Sequence, residues 1–138
     1  VKKTSVIIND KIYSQIKEGL LVFIGIHAND TKKNVQYLVK KIIQLRIFED
    51  NNNKMNLSLK DLNLEIMIIS QFTLYGNCNR GNRPSFAHAA NPILAKELYD
   101  FFIKEIASYN INFKTGKFGE MMNVHLINDG PATFILKS

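Results

Sequence analysis

Two short β-branched runs, Thr4 to Ile8 and Lys11 to Ile16, lie on either side of Asn9-Asp10. Branching at Cβ suits an extended backbone, and an Asn-Asp pair suits a two-residue turn, so the pattern predicts a hairpin. The next run, Leu20-Leu21-Val22-Phe23-Ile24-Gly25-Ile26, is continuously apolar and too short for a buried helix. It predicts a buried central strand. Between Thr31 and Arg46 the period changes: Val35, Leu38, Val39, Ile42 and Ile43 recur at three- and four-residue spacing, the stripe of an amphipathic helix, with Asp30 placed to cap it.

Asn51-Asn52-Asn53 breaks the pattern as a loop, and Glu65 to Phe72 returns to an apolar strand. Gly76 to Arg83 is polar and carries two glycines, which predicts a long exposed loop. Asn91-Pro92 opens a second helix with proline in its first turn, and Leu94, Leu98, Phe101, Phe102 and Ile106 form its apolar face. Strands are predicted at Ile111 to Phe113, Met121 to Ile127 and Ala132 to Leu136, the last two joined by Asn128-Asp129-Gly130-Pro131-Ala132-Thr133. The order predicts one α+β domain over residues 1–138, with a mixed or antiparallel, barrel-like sheet and two helices packed on it.

A chain of 138 residues, 46% hydrophobic, supports one core and not two. It contains no apolar run of about 18 residues, and charges interrupt its start, so neither a membrane span nor a secretion signal is predicted. The lone Cys78 cannot form an internal disulfide, which suits a reducing cytosol. The first residue is Val1 and not Met, so an upstream piece is expected. Lys and Arg outnumber Asp and Glu by 18 to 12, giving a net charge of +6. That excess suits a polyanionic partner such as nucleic acid, and equally a solvated basic surface.

Metal chemistry is not supported: His27, His88, His125 and Cys78 lie far apart, without HxxxH or CxxC spacing. Phosphate-loop, dinucleotide and G-x-S-x-G patterns are also missing, so no metal or cofactor is called for. What remains is Ser70-Gln71-Phe72-Thr73-Leu74, where a buried strand runs into a polar loop and can deliver side chains and N–H groups to a pocket mouth. Its hydroxyls serve equally as backbone partners at an ordinary strand end. Ser70 or Thr73 would act as a nucleophile only beside a base, and no histidine can be assigned that place. Arg80 and Arg83 in the following loop can fork onto phosphate oxygens or simply be solvated. Phe118 and Met121 can line a pocket or fill a core. Gly130-Pro131 is a turn by composition and a place where a cis peptide can be held.

Taken in order, SQFTLYG, RGNRPSF, AANP, TGKFGEMMNVHLIN and NDGPAT resemble the D-aminoacyl-tRNA deacylase family, formerly D-tyrosyl-tRNA deacylases, over essentially the whole chain. The resemblance implies a cytoplasmic homodimer that hydrolyses the ester between a D-amino acid, or mischarged glycine, and tRNA while rejecting L-residues. It implies that Ser70, Gln71, Phe72 and Thr73 hold the adenosine end and the reacting ester. It further implies that Gly130-Pro131 is a cis dipeptide whose carbonyls reach into the partner subunit's site. Leu74, Phe118, Met121, Asn128 and Thr133 would then bind substrate, and Arg80 and Arg83 the tRNA. The expected catalysts are the N–H groups around Gln71, Phe72 and Thr73, with the substrate 2′-hydroxyl helping to activate water; Thr73 as nucleophile is the alternative. A tRNA-binding module without catalysis and a hydrolase of free D-peptides or small esters are the competing functions. Members of the family usually begin with a further short strand ending in Gln-Arg, and usually carry a bulkier residue at the position of Ala132.

Overall fold

The computed structural model describes residues 1–130 and 132–138. The N-terminal hairpin forms as expected: β1 (Lys3–Ile8) and β2 (Lys11–Ile16) pair antiparallel. Asn9 and Asp10 both take positive φ, 49° and 60°, as a two-residue turn of this hand requires. After β3 (Gly19–Ile24) comes α1 (Lys32–Gln44), then a small hairpin of β4 (Phe48–Glu49) and β5 (Met55–Leu57). β6 (Glu65–Ser70), a single 3-10 turn over Phe72–Tyr75, α2 (Pro92–Ser108), β7 (Phe113–Thr115) and β8 (Asn123–Ile127) complete the order.

The strands form a β2-β1-β8 sheet, a parallel β3-β6-β7 sheet and the β4-β5 ribbon, so the predicted mixed α+β domain is observed; the sheets do not close into a barrel. β6 lies at the centre of three layers. Ile66 and Ile68 point towards the helices, packing with Val35, Val39, Leu98 and Phe102, while Met67 and Ile69 point the other way, against Val6 and Ile16. All four β6 residues are essentially inaccessible, each contributing roughly 1.5–3 kcal/mol of burial. An uninterrupted apolar run is what burial on both faces demands.

Four expectations need correction. The central strand is β6, and β3, predicted to be central, is an edge that pairs with β6 alone among the described residues. Asp30 does not cap α1: its carboxylate accepts the His27 N–H at 2.8 Å, and Thr31 is the N-cap, its own N–H held by the Asn34 side chain at 2.9 Å. The apolar strand ends at Ser70 instead of Phe72. Finally, Ala132–Leu136 is not a strand. Its apolar residues serve single contacts instead of a ladder, with Leu136 packed on the helix-side core and Ser138 beside Ile24, Gly25 and Asn34, while Ile135 is exposed.

One polar contact ties α2 to the centre of the sheet. The Tyr99 hydroxyl donates to the Ile68 carbonyl at 2.9 Å, and the same oxygen accepts the Gly116 N–H at 3.0 Å. Burial, and secondarily the nearby Asp100 carboxylate, hold the phenol well above its ordinary ionisation range. The neutral phenol is therefore favoured in the fold, and its contribution is present below about pH 10 and lost as pH rises beyond it. Tyr99→Phe is expected to lower stability by about 1 kcal/mol at neutral pH. Urea melts should also show a smaller alkaline loss of stability for the variant than for the parent; identical alkaline slopes would exclude this role for Tyr99.

Candidate active site

The parallel register pairs Ile24 with Ser70 at the last rung of the sheet. One residue further on, the Ile24 carbonyl takes the Gln71 N–H at 2.8 Å, and then the chain leaves the ladder. It tightens into the 3-10 turn, where Leu74 N–H reaches the Gln71 carbonyl (3.3 Å) and Gly76 N–H the Thr73 carbonyl (2.9 Å). The first donors of such a turn have no partner within it. Among the described residues the Phe72 and Thr73 N–H groups find no acceptor. Gln71, expected to share that role, does not: its N–H is spent on Ile24, and its side-chain amide instead donates to Thr73 Oγ1. The turn stands out from the protein, with Phe72 56% and Leu74 58% exposed.

Two features fix this turn. Gly25 passes directly beneath it, so that a Cβ there would stand 3.0 Å from Leu74 Cβ and 3.1 Å from the Tyr75 ring. Phe86 packs edge-on against Phe72 with ring centroids 5.0 Å apart. The loop leading to Phe86 is pinched by paired bonds between Asn77 and Ser85 (2.8 and 2.9 Å), which leaves Arg80 and Arg83 on its exposed excursion.

A cavity of about 400 Å³ opens beside the turn, lined by His27, Leu74, Tyr75, Asn77, Cys78 and His88. His27 stacks on His88 at 5.9 Å and tilts against Tyr75 at 5.3 Å. Its Nδ1 accepts the Asn29 N–H at 3.1 Å, and no hydrogen bond joins either imidazole to Ser70 or Thr73 among the described residues. Burial, then Asp30, raise the Tyr75 phenol above its usual range. Sequence reasoning missed Gly25, Phe86 and this histidine pair. Their meeting depends on the His27–Ala89 bridge between segments far apart in the chain.

The other expected site residues do not gather here. Phe118 packs on the Tyr99 ring at 5.6 Å, and Met121 is 92% exposed. Asn128 and Thr133 are exposed, and of the expected binding residues Leu74 alone lines the cavity. Gly130 lies at the opposite end of the sheet. Lys2 N–H bonds the Ile127 carbonyl, and Gly19 N–H bonds Val1, which places the end of β8 beside Gly19 and Glu65 at the start of β6. β6 then runs roughly 17 Å before it delivers Ser70. Gly130 has φ 127°, and an added Cβ would meet Ala132 N at 2.5 Å, so only glycine fits. The expected cis bond at Pro131 lies outside the described residues.

Sheets, helices and turn define a small α+β domain with two N–H donors left unpaired, among the described residues, at a strand end. A family model described as D-Tyr-tRNA(Tyr) deacylase matches residues 1–137. The chain is 52% identical to the D-aminoacyl-tRNA deacylase of Thermosipho melanesiensis, covering 100% of this chain and 93% of that protein. It is 51% identical to the D-aminoacyl-tRNA deacylase of Desulfatibacillum aliphaticivorans, covering 100% and 94%. A solved structure described as c-Myc DNA Unwinding Element Binding Protein superposes with a TM-score of 0.94 at 37% identity, over 100% of this chain and 94% of that one. Another, a probable eukaryotic D-amino acid tRNA deacylase, shares the fold with a TM-score of 0.80 at 17% identity, over 94% and 90%. The chain belongs to the D-Tyr-tRNA(Tyr) deacylase family.

The contact beneath the turn yields a test. Gly25→Ala should leave the melting temperature within a few degrees of the parent while displacing Leu74 and Tyr75. Deacylation should slow by about tenfold or more, roughly 1.4 kcal/mol of barrier. Unchanged rates would show that the turn tolerates displacement.

Proposed function

We propose that this chain is a chiral proofreading hydrolase that cleaves the ester of D-aminoacyl-tRNA, and of glycine mischarged on tRNA, releasing the amino acid. The observation that carries the mechanism is the pair of N–H groups on Phe72 and Thr73 that, among the described residues, find no acceptor, beside a hydroxyl with no base among them. An aminoacyl ester is already activated. Donors preorganised where its carbonyl oxygen gains charge supply several kcal/mol of transition-state stabilisation, about 2.7–4 for one such donor. Water, activated with help from the 2′-hydroxyl of the terminal ribose, attacks the carbonyl carbon. The tetrahedral oxyanion rests on the Phe72 and Thr73 N–H groups, and its collapse expels the ribose oxygen, which takes up a proton. Gln71 holds Thr73 Oγ1 in place, and Leu74 and Phe72 present an apolar floor for the terminal nucleoside.

Stereochemistry is assigned to Gly130-Pro131 of a second copy. Within one chain Gly130 stands at the far end of β6 from the turn, which supports delivery of the motif in trans. A homodimer is supported too by exposed apolar side chains on β2, β8 and the tail, among them Ile12, Tyr13, Leu126, Phe134 and Ile135. A rigid pair of carbonyls at the amino-acid Cα admits hydrogen and excludes an L-side chain by clash. Phe118, Met121, Asn128 and Thr133 complete the substrate pocket only in that assembly, and Arg80 and Arg83 hold tRNA phosphates. No helix among the described residues is long and apolar enough to cross a membrane, in keeping with action on tRNA in the cytoplasm.

Incubation with D-Tyr-tRNA and L-Tyr-tRNA tests the reading. Release from the D-ester should exceed release from the L-ester by at least about a hundredfold, a difference of roughly 2.7 kcal/mol; equal rates, or none, would refute it. Thr73→Ala should retain most of the activity, because the backbone donor survives the substitution. Loss of several orders of magnitude with tRNA binding intact would make Thr73 the nucleophile. Gly130→Val and Gly25→Ala variants, each impaired alone, should partly restore each other when mixed and allowed to exchange subunits. Failure to complement would place both motifs of a working site on one chain.

A further inference from the structure

The two helices share a layer but not a charge. α2 (PILAKELYDFFIKEIAS) balances Lys96 and Lys104 against Glu97, Asp100 and Glu105, with Lys96 bonded to Asp100. α1 (KKNVQYLVKKIIQ) carries four lysines and no acidic residue, so it alone holds much of the +6 net charge. Lys32 turns aside over the Phe101 ring at 5.3 Å. Lys33, Tyr37, Lys40 and Gln44, at positions i, i+4, i+7 and i+11, form one exposed stripe with Lys41 beside it, opposite the buried Val35, Val39 and Ile42. No ion pair engages these lysines among the described residues, and Tyr37 in their midst is 52% exposed.

The position of this stripe gives it a direction. β3 ends at Ile24, opposite Ser70, and the connection through His27 leads straight into α1, whose Asn34 sits close to Ile24 and Gly25. α1 therefore starts at the catalytic end of the sheet and leads away from it for roughly 20 Å. That length matches about six phosphates of one nucleic-acid strand.

We propose that the outer face of α1 is the docking track for the phosphate backbone of the tRNA acceptor arm, carrying the RNA body away from the turn that holds its aminoacylated end. The assignment rests on the deacylase reading and extends it to the part of the substrate remote from the ester. Lys33, Lys40 and Lys41 contact successive phosphates as mobile point charges, and Tyr37 supplies a flat face against a ribose or a base. Charge complementarity selects a polyanion, and continuity with the catalytic end selects the RNA whose terminus lies there.

The test compares Lys33→Gln/Lys40→Gln/Lys41→Gln and Tyr37→Ala with the parent on two substrates, D-Tyr-tRNA and D-tyrosyl-adenosine, across a salt series. Glutamine preserves helix propensity, so folding is checked simply by circular dichroism. For the triple variant, kcat/KM on D-Tyr-tRNA should fall by about tenfold or more, through KM, and its log–log salt slope should flatten by about 2–3. Tyr37→Ala should lose a few-fold on the same substrate. Activity on D-tyrosyl-adenosine should not change. Equal losses on both substrates, or no loss on tRNA, would overturn the proposal. So would unchanged tRNA kinetics combined with lost binding to vesicles of anionic phospholipid, which would assign the face to a membrane surface. A parent inactive on both substrates would instead refute the deacylase reading, and this proposal with it.

Discussion

Everything at the functional end of the molecule depends on the burial of β6 from both sides. A strand sandwiched between two helices and a second sheet cannot shift its register by one residue, because Ile66 and Ile68 would exchange faces with Met67 and Ile69. The parallel rung between Ile24 and Ser70 is thereby fixed, and with it the point at which the Ile24 carbonyl captures the Gln71 N–H and releases the chain into its turn. The unpaired donors of Phe72 and Thr73 are therefore a consequence of core packing. In the proposed mechanism this packing preorganises the donors, so that little remains to be reorganised when charge develops on a bound ester.

In the proposed mechanism the same arrangement lets backbone donors carry the chemistry, with no side-chain base assigned to Thr73 among the described residues. Short of proline, a side-chain replacement can displace a backbone donor but not remove it, so in this proposal neighbours with no reactive group become important. Gly25 provides clearance beneath the turn, and Phe86 braces Phe72 from the side. The second requirement, discrimination between mirror-image substrates, is assigned to another backbone feature at the far end of the sheet. Under the proposed function, the separation of the two within one chain would link the chemistry to assembly.

Much of the architecture was legible in the pattern of residues. The Asn9-Asp10 hairpin, the α1 stripe and the Asn91-Pro92 start of α2 were readable because local backbone preference and burial agree there. The readings failed where a nonlocal contact decided. Asp30 resembles an N-cap, yet the His27 turn claims its carboxylate; Ala132–Leu136 ends in an apolar run like a strand, yet among the described residues it pairs with none. Apolar runs at β3 and β6 look alike in sequence, and only sheet order makes one an edge and the other the centre.

The sequence alone determined the family, since ordered motifs from Ser70 to Thr133 carry it, and with the family the kind of ester and the hand of the amino acid. It also pointed to the end of an apolar strand as the candidate site. Tertiary structure decided which N–H groups are unpaired, which glycine lies under the turn, and that Gly130 stands at the opposite end of the sheet from the turn in its own chain. The physical reason is range. Propensity and periodicity act over a few residues, whereas the availability of a donor or the clearance above a glycine is set by whatever distant segment the fold brings alongside.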